Sequence, residues 1–229
     1  MTTAIVLSLG GSLILPKDGI ALNYLRLFRD FILKLTADGV HICIVVGGGE
    51  ITRSYQNAAR ELTPDIDPIV LDYLGIDQIA VNARLVHSLF VNHAHPEIIK
   101  NYNEFSKTDS QSPITIGAAH LPGHSSDYDA VFLAIRIGVN AIVNLTNIDY
   151  IYDKDPIKNP DAKPLTQATW EDILKQIHAW QPGLHFPVDP AAAKLAHTHR
   201  IEMRIVQGHN LENVRNAVLG KNFIGTHIR

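Results

Sequence analysis

The sequence predicts an α/β protein, a three-layer sandwich of helices around a mainly parallel central sheet. Two observations carry this. Short, predominantly apolar runs at residues 4–9, 41–46 and 141–145 have the pattern of strands buried on both faces. Between such runs, apolar residues recur at helical spacing, most clearly Leu22, Leu25, Phe28, Ile32 and Leu35. Alternation of the two patterns predicts strand–helix units packed in layers.

In chain order, the first strand (4–9) meets Gly10-Gly11-Ser12, and the helix that follows stops near Gly39. The second strand (41–46) meets Gly47-Gly48-Gly49 and a helix reaching about Leu62. A further helix is predicted from about Asp72 to His93, with Leu74, Val81, Leu85 and Leu89 on its inner side. A strand at 114–116 leads into the loop 117–126 and a helix over 127–137. Residues 141–145 form a strand and 147–152 a short extension or hairpin. Residues 153–164, rich in prolines and charges, form an exposed loop. Helices near 169–178 and 189–197, a strand at 202–206, a helix at 210–219 and a closing strand complete the chain. The glycine turns thus fall at strand C-terminal ends, where open α/β sheets bind ligands.

At 229 residues the chain suits one domain of two joined halves, 1–113 and 114–229. A net charge of -3 gives no basic field to attract nucleic acid or an anionic membrane. No apolar run approaches the ~20 residues that span a bilayer. The first apolar segment lacks a basic flank and soon meets Gly10-Gly11, so it reads as a strand and not a signal peptide. The single cysteine, Cys43, lies in an apolar run, which predicts a buried inert thiol and a reducing, cytoplasmic setting.

Candidate chemistry gathers at the loops. Gly10-Gly11-Ser12 and Gly47-Gly48-Gly49 let backbone N–H groups approach an anion at a helix start, a geometry suited to phosphate. Neither loop is a Walker A or GxGxxG motif. Arg53, four residues after Gly49, fits a bidentate phosphate clamp or a solvated surface arginine. Pro122-Gly123-His124-Ser125-Ser126-Asp127 ends in two hydroxyls and a carboxylate, of which Ser125 or Ser126 is an N-cap. Asp127 and Asp129 lie in a first helical turn, where the dipole favours acids. Asp149, Asp153 and Asp155 suit a cation or sugar hydroxyls, and equally an ordinary turn. Asp189-Pro190 opens a helix, with Lys194 one turn on. The twelve histidines include His93 with His95 and His197 with His199, but no zinc-site pattern accompanies them and no metal site is predicted.

The string Thr146-Asn147-Ile148-Asp149-Tyr150-Ile151-Tyr152-Asp153-Lys154-Asp155-Pro156 resembles the TNVDGVYxxDP segment of the amino-acid-kinase superfamily. The initial GGS, the GGG-x-x-x-R element ending at Arg53, the PGHSSD loop and a DPxAxK-like stretch at 189–194 appear in family order. Within that superfamily the chain most resembles UMP kinases of the archaeal type, through Arg53, the short PGHSSD loop, and Asp72 three residues before Gly75-Ile76. The resemblance implies the amino-acid-kinase (carbamate-kinase-like) fold. It also implies transfer of the ATP γ-phosphoryl group to UMP with Mg²⁺, and a homo-oligomer such as a hexamer built as a trimer of dimers. The apolar helix faces at 22–35 and 74–89 are candidate contacts, with core packing their default explanation.

By resemblance, Gly10, Gly11 and Asp127 serve the transfer, and Gly48, Gly49, Arg53, Asp72, Ser125 and Ser126 hold UMP over the N-terminal half. Ser8, Gly10, Thr146, Asn147, Asp149, Tyr152, Asp155 and Lys194 lie on the ATP side. The chain departs from the family pattern in four places. Ser8 stands where many members have lysine, with Lys17 as a candidate substitute, and Ile79-Ala80-Val81 replaces a Thr-Arg element. Tyr150 replaces a glycine, and His185-Phe186-Pro187-Val188 replaces small residues. An ATP-binding storage protein of the molybdenum-storage type, which shares an FPV element, is therefore an alternative. So is a kinase for another small phosphate or carboxylate.

Overall fold

The computed structural model describes residues 3–105, 112–119, 121–179 and 188–229. Strands β1 (Thr3–Leu9), β2 (Val40–Val46), β3 (Ile114–Gly117), β4 (Ala141–Thr146), β7 (Gln167–Ala168), β8 (Glu202–Gln207) and β9 (Thr226–Ile228) form one seven-stranded sheet in the order β3-β2-β1-β4-β8-β9-β7. All neighbours are parallel except β8 and β9. A separate antiparallel pair, β5 (Ile151–Tyr152) and β6 (Pro164–Leu165), encloses the charged loop. The helices are α1 (Gly11–Ile14), α2 (Leu22–Ala37), α3 (Gly49–Leu62), α4 (Pro68–Ser88), α5 (Ser126–Ile137), α6 (Trp170–Ala179), α7 (Pro190–His199) and α8 (Leu211–Val218).

The central strands are mostly apolar because both faces are buried, and strict alternation splits their side chains between two cores. Leu7 and Leu9, Ile42 and Ile44, Val143 and Leu145, and Val206 face one layer, packed against Phe28, Ile32, Val86 and Val214. Val6, Cys43, Val45, Ile142 and Ile205 face the other, packed against Val131, Leu133, Trp170 and Ala193. The result is the predicted three-layer sandwich. The predicted stripe of α2 holds for Leu25, Phe28, Ile32 and Leu35, which are buried, but not for Leu22, which opens the helix and is exposed, as is Leu27. Cys43 is buried, and burial pushes its thiol up to about 12, so it is inert at neutral pH.

One helix differs from its sequence reading. α4 begins four residues earlier than Asp72, because Asp67 caps it by accepting from the Ile69 N–H at 2.9 Å with Pro68 in the first turn. It ends at Ser88, five residues short of His93. Its buried residues include Leu71, Gly75, Asn82, Ala83 and Val86, whereas Val81 is 64% exposed. The inner face is therefore small and partly polar, a pattern that counting large apolar residues cannot find. α1 and β7 are further elements that the sequence patterns left out. The His185-Phe186-Pro187 element lies outside the described residues.

Phe28 has no exposure and Leu27 beside it is 62% exposed. Phe28→Ala is expected to cost about 3–5 kcal/mol and lower the thermal midpoint by roughly 10 °C. Leu27→Ala should stay within about 0.5 kcal/mol. Equal losses in calorimetry would refute this assignment of faces.

Candidate active site

At the C-terminal ends of β1 and β2, the two glycine loops press together backbone to backbone. A Cβ on Gly11 would collide with Gly48 and Gly49 and lie 2.6 Å from the Gly47 carbonyl oxygen. Gly49 has φ 76°, a conformation open to glycine and strained for other residues. Asn82 of α4 fixes this contact: its Nδ2 donates to the carbonyls of Gly47 at 3.0 Å and Gly48 at 3.2 Å. Gln78 in turn donates to Asn82 Oδ1 at 3.2 Å.

The Gly10 N–H donates to the Leu145 carbonyl at 3.0 Å and the Gly47 N–H to the Leu9 carbonyl at 2.9 Å. These two groups extend the sheet, so any donors for a ligand come from the residues after them. Gly10 serves by close approach, since a Cβ there would meet the Leu145 carbonyl oxygen at 2.8 Å.

The floor beside the loops is a polar network between β1, β4 and α5. Asp127 Oδ1 accepts from Ser8 Oγ at 3.0 Å and from Asn144 Nδ2 at 3.1 Å. Ser126 Oγ lies 3.2 Å from where a Gly47 Cβ would be, so it stands beside the second glycine loop. Ser125 caps α5, accepting from the Tyr128 N–H at 3.1 Å, and its hydroxyl donates to Asp189 Oδ2. Asp189 also caps α7 through Oδ1, from the N–H groups of Ala191 at 2.8 Å and Ala192 at 3.0 Å. Thus one bond between two caps joins the starts of α5 and α7.

Few cations compensate these acids. Burial pushes the Asp127 carboxyl up to about 7, with the Asp189 charge adding to it and the bonds from Ser8 and Asn144 opposing it. Asp129 rises to about 7 by burial and then by Asp189. The serine in place of lysine leaves Asp127 with neutral donors alone.

The remaining predicted residues are more dispersed. Asp72 Oδ2 accepts from the Gly123 N–H at 2.8 Å, tying α4 to the PGHSSD loop, where His124 stacks on Tyr128 at 4.2 Å. Arg53 is exposed on α3. Lys17 pairs with Glu50 at 3.2 Å, beside the second glycine loop. Beyond β4, Thr146 Oγ1 closes a turn with Ile148, and Asn147 and Asp149 are exposed. Tyr152 lies on β5. Asp155 is spent on its own turn, accepting from the Ile157 N–H at 2.9 Å. Lys194 is exposed on α7.

Sequence reasoning missed Asn144, Thr52, and the second bond of Asp189. Asn144 was legible in principle: a polar residue inside an apolar strand must find a partner when buried. Thr52 Oγ1 is buried against Gly48 with no hydrogen-bond partner among the described residues, and nothing in its spacing signals that.

Comparison with known proteins follows the same geometry. The amino acid kinase family model matches residues 3–207. A uridylate kinase of Methanococcus aeolicus is 31% identical over 206 residues, covering 89% of this chain and 90% of that protein. One of Methanosarcina mazei is 32% identical over 222 residues, covering 95% and 92%. Among solved structures, uridylate kinase from Archaeoglobus fulgidus superposes with TM-score 0.82 at 28% identity, covering 98% of this chain and 99% of that one. UMP kinase from Bacillus anthracis, at 20% identity and TM-score 0.78, shares the fold.

The raised carboxyls make a pH prediction. An unfolded aspartate titrates near 3.9, so between about pH 4 and about 7 the folded protein holds protons that the unfolded chain has released. Stability from these groups therefore falls as pH rises through that window. Asp127→Asn should match the parent in urea denaturation only near pH 4 and below, and exceed it increasingly as pH rises to about 7 and beyond. Parallel pH profiles for the two proteins would contradict the assignment.

Proposed function

The chain belongs to the amino acid kinase family, whose model spans residues 3–207, and on that premise we propose that it is a UMP kinase, transferring the γ-phosphoryl group of ATP to UMP and releasing UDP and ADP. The observation that carries this is the meeting of both glycine loops with Ser126 and the Ser8–Asp127–Asn144 floor at the strand ends. Relatives 31% and 32% identical over most of the chain bear the name uridylate kinase.

In this proposal residues 1–113 line the acceptor side and 114–229 the ATP side. The in-line transfer needs positioning and charge neutralisation more than a covalent catalyst. Gly11, Gly48 and Gly49 admit phosphate oxygens to within hydrogen-bonding distance of the backbone. Arg53, one turn into α3, grips the UMP phosphate, with the Ser125 and Ser126 hydroxyls nearby. Asp72 reaches the nucleotide sugar from α4 while holding the PGHSSD loop through Gly123. Asp127 orients Ser8 and Asn144 and is no base for the acceptor, since a phosphate monoester is already largely ionised at neutral pH.

On the ATP side, Gly10, Thr146, Asn147, Asp149, Tyr152 and Lys194 surround the nucleotide. Asp155 acts there through the turn it stabilises. Mg²⁺ is characteristically held by substrate phosphates and one or two carboxylates. This fits a floor with Asp127 and no group of three or more His, Cys, Asp or Glu ligands among the described residues. The ion would neutralise charge on the β- and γ-phosphates.

The protein is also proposed to be a homo-oligomer. Tyr55, Ile69, Val70 and Tyr73 on α3 and α4 are 45–55% exposed, which supports contact through that side. No helix among the described residues is long and apolar enough to cross a membrane, in keeping with a cytoplasmic enzyme.

Incubation with ATP, Mg²⁺ and each nucleoside monophosphate, followed by phosphorus NMR, is expected to give UDP with UMP. Silence with UMP would refute the proposal. Arg53→Ala removes a charge-assisted hydrogen bond of about 1.5–3 kcal/mol, so KM for UMP should rise roughly 10- to 150-fold with little change for ATP. An unchanged KM for UMP would exclude Arg53 from the acceptor site.

A further inference from the structure

The sheet face that carries α2 and α8 is not covered to its edge. Beyond α8 a groove of about 380 Å³ opens along β8, β9 and β7. Sheet register aims a row of polar side chains into it. Arg204 on β8 lies opposite His227 on β9, and His227 opposite Gln167 on β7, and residues paired across strands share a face. Arg229, two residues past His227, returns to that face, and its Nη2 donates to Gln167 Oε1 at 3.3 Å. Lys221 closes the rim from the loop after α8.

None of the described residues lining this groove is acidic. Arg204 is the anchor, with its side chain 14% exposed. It donates to the Ala217 carbonyl at 2.6 Å and more distantly to Glu202 at 3.4 Å, two bonds from a group with five N–H donors. Glu202, beside the groove, also meets His227 Nε2 at 3.0 Å. Among the described residues no carboxylate side chain pairs with Lys221 or Arg229. The Arg229 carbonyl oxygen accepts from the Trp170 N–H at 3.2 Å, toward the opposite layer of the sandwich. Among the described residues, three permanent cations and a histidine thus face one side-chain carboxylate, that of Glu202. A guanidinium so nearly buried is costly to leave underpaired, and its planar fork suits a bidentate oxyanion.

The groove is distinct from the candidate active site. Register sets Met203 against Ile228, so Arg229 sits by the first residue of β8, at the opposite end of the sheet from the glycine loops. At about 380 Å³ it offers more room than one tetrahedral anion fills. We propose that this groove binds an oxyanion carrying two or more phosphate groups, held by Arg204, Lys221, His227 and Arg229.

The test is a titration of the full chain with inorganic pyrophosphate, read by NMR at the His227 ring, which reports on this groove whatever binds elsewhere. The His227 resonance is expected to move along a saturable curve. The curve should weaken at least ten-fold in Lys221→Glu/Arg229→Glu, two exposed positions, and remain unchanged in Arg53→Ala. An unaltered melting curve for the double variant separates lost binding from lost folding. A parallel titration with ATP distinguishes the sources: saturation at lower concentration than pyrophosphate assigns a nucleotide polyphosphate, and equal or higher concentration assigns free polyphosphate. No movement of His227 with either probe, or the same curve in the double variant, would overturn the proposal.

Discussion

The structure depends on a contact that contains no side chain. Gly11 and the Gly47–Gly49 backbone occupy space that a single Cβ would fill, and this brings the ends of β1 and β2 close enough to share one mouth. Every other part of the site is arranged around that approach. Asn82 holds the carbonyls of Gly47 and Gly48 from behind, and Ser126 stands against Gly47 from the third loop. Close packing in proteins usually comes from filling volume; here it comes from leaving volume out.

Around this contact the molecule concentrates groups that do not easily coexist. Asp127 and Asp129 both feel the charge of Asp189. Asp189 is kept in place by two helix N–H groups and the Ser125 hydroxyl. A site with unbalanced acids at its floor and open donors at its rim favours ligands that bring their own cations, as a magnesium-bound nucleotide does. Ser8, in this light, is part of the floor: it satisfies Asp127 without cancelling its charge.

Much of the architecture is legible in the sequence, because strands buried on both faces are dominated by apolar residues and two of them run directly into glycine loops. α2 shows the strength of the method: its buried stripe is large and regular. α4 shows its weakness, since its inner face is built from Gly75, Asn82 and Ala83, residues chosen for closeness and hydrogen bonding. Site residues adjoining glycine or a cap, such as Ser125 and Asp127, were legible from local spacing. The Asn144–Asp127 and Ser125–Asp189 bonds were not, because they join segments 17 and 64 residues apart, and sequence spacing is silent on contacts made by the fold.

The pairing of β1 has a consequence for how the protein is made. β1 is central, flanked by β2 and by β4, with Val6 opposite Ile142. While the nascent chain leaves the ribosome, one edge of β1 stays unpaired until more than half of the polypeptide has been synthesised. An apolar strand with an open edge is a template for wrong partners, and contacts so distant in sequence form slowly. The same long-range closure that places Ser8 beside Asn144 and Asp127 therefore makes the early translation product the species most in need of chaperone cover.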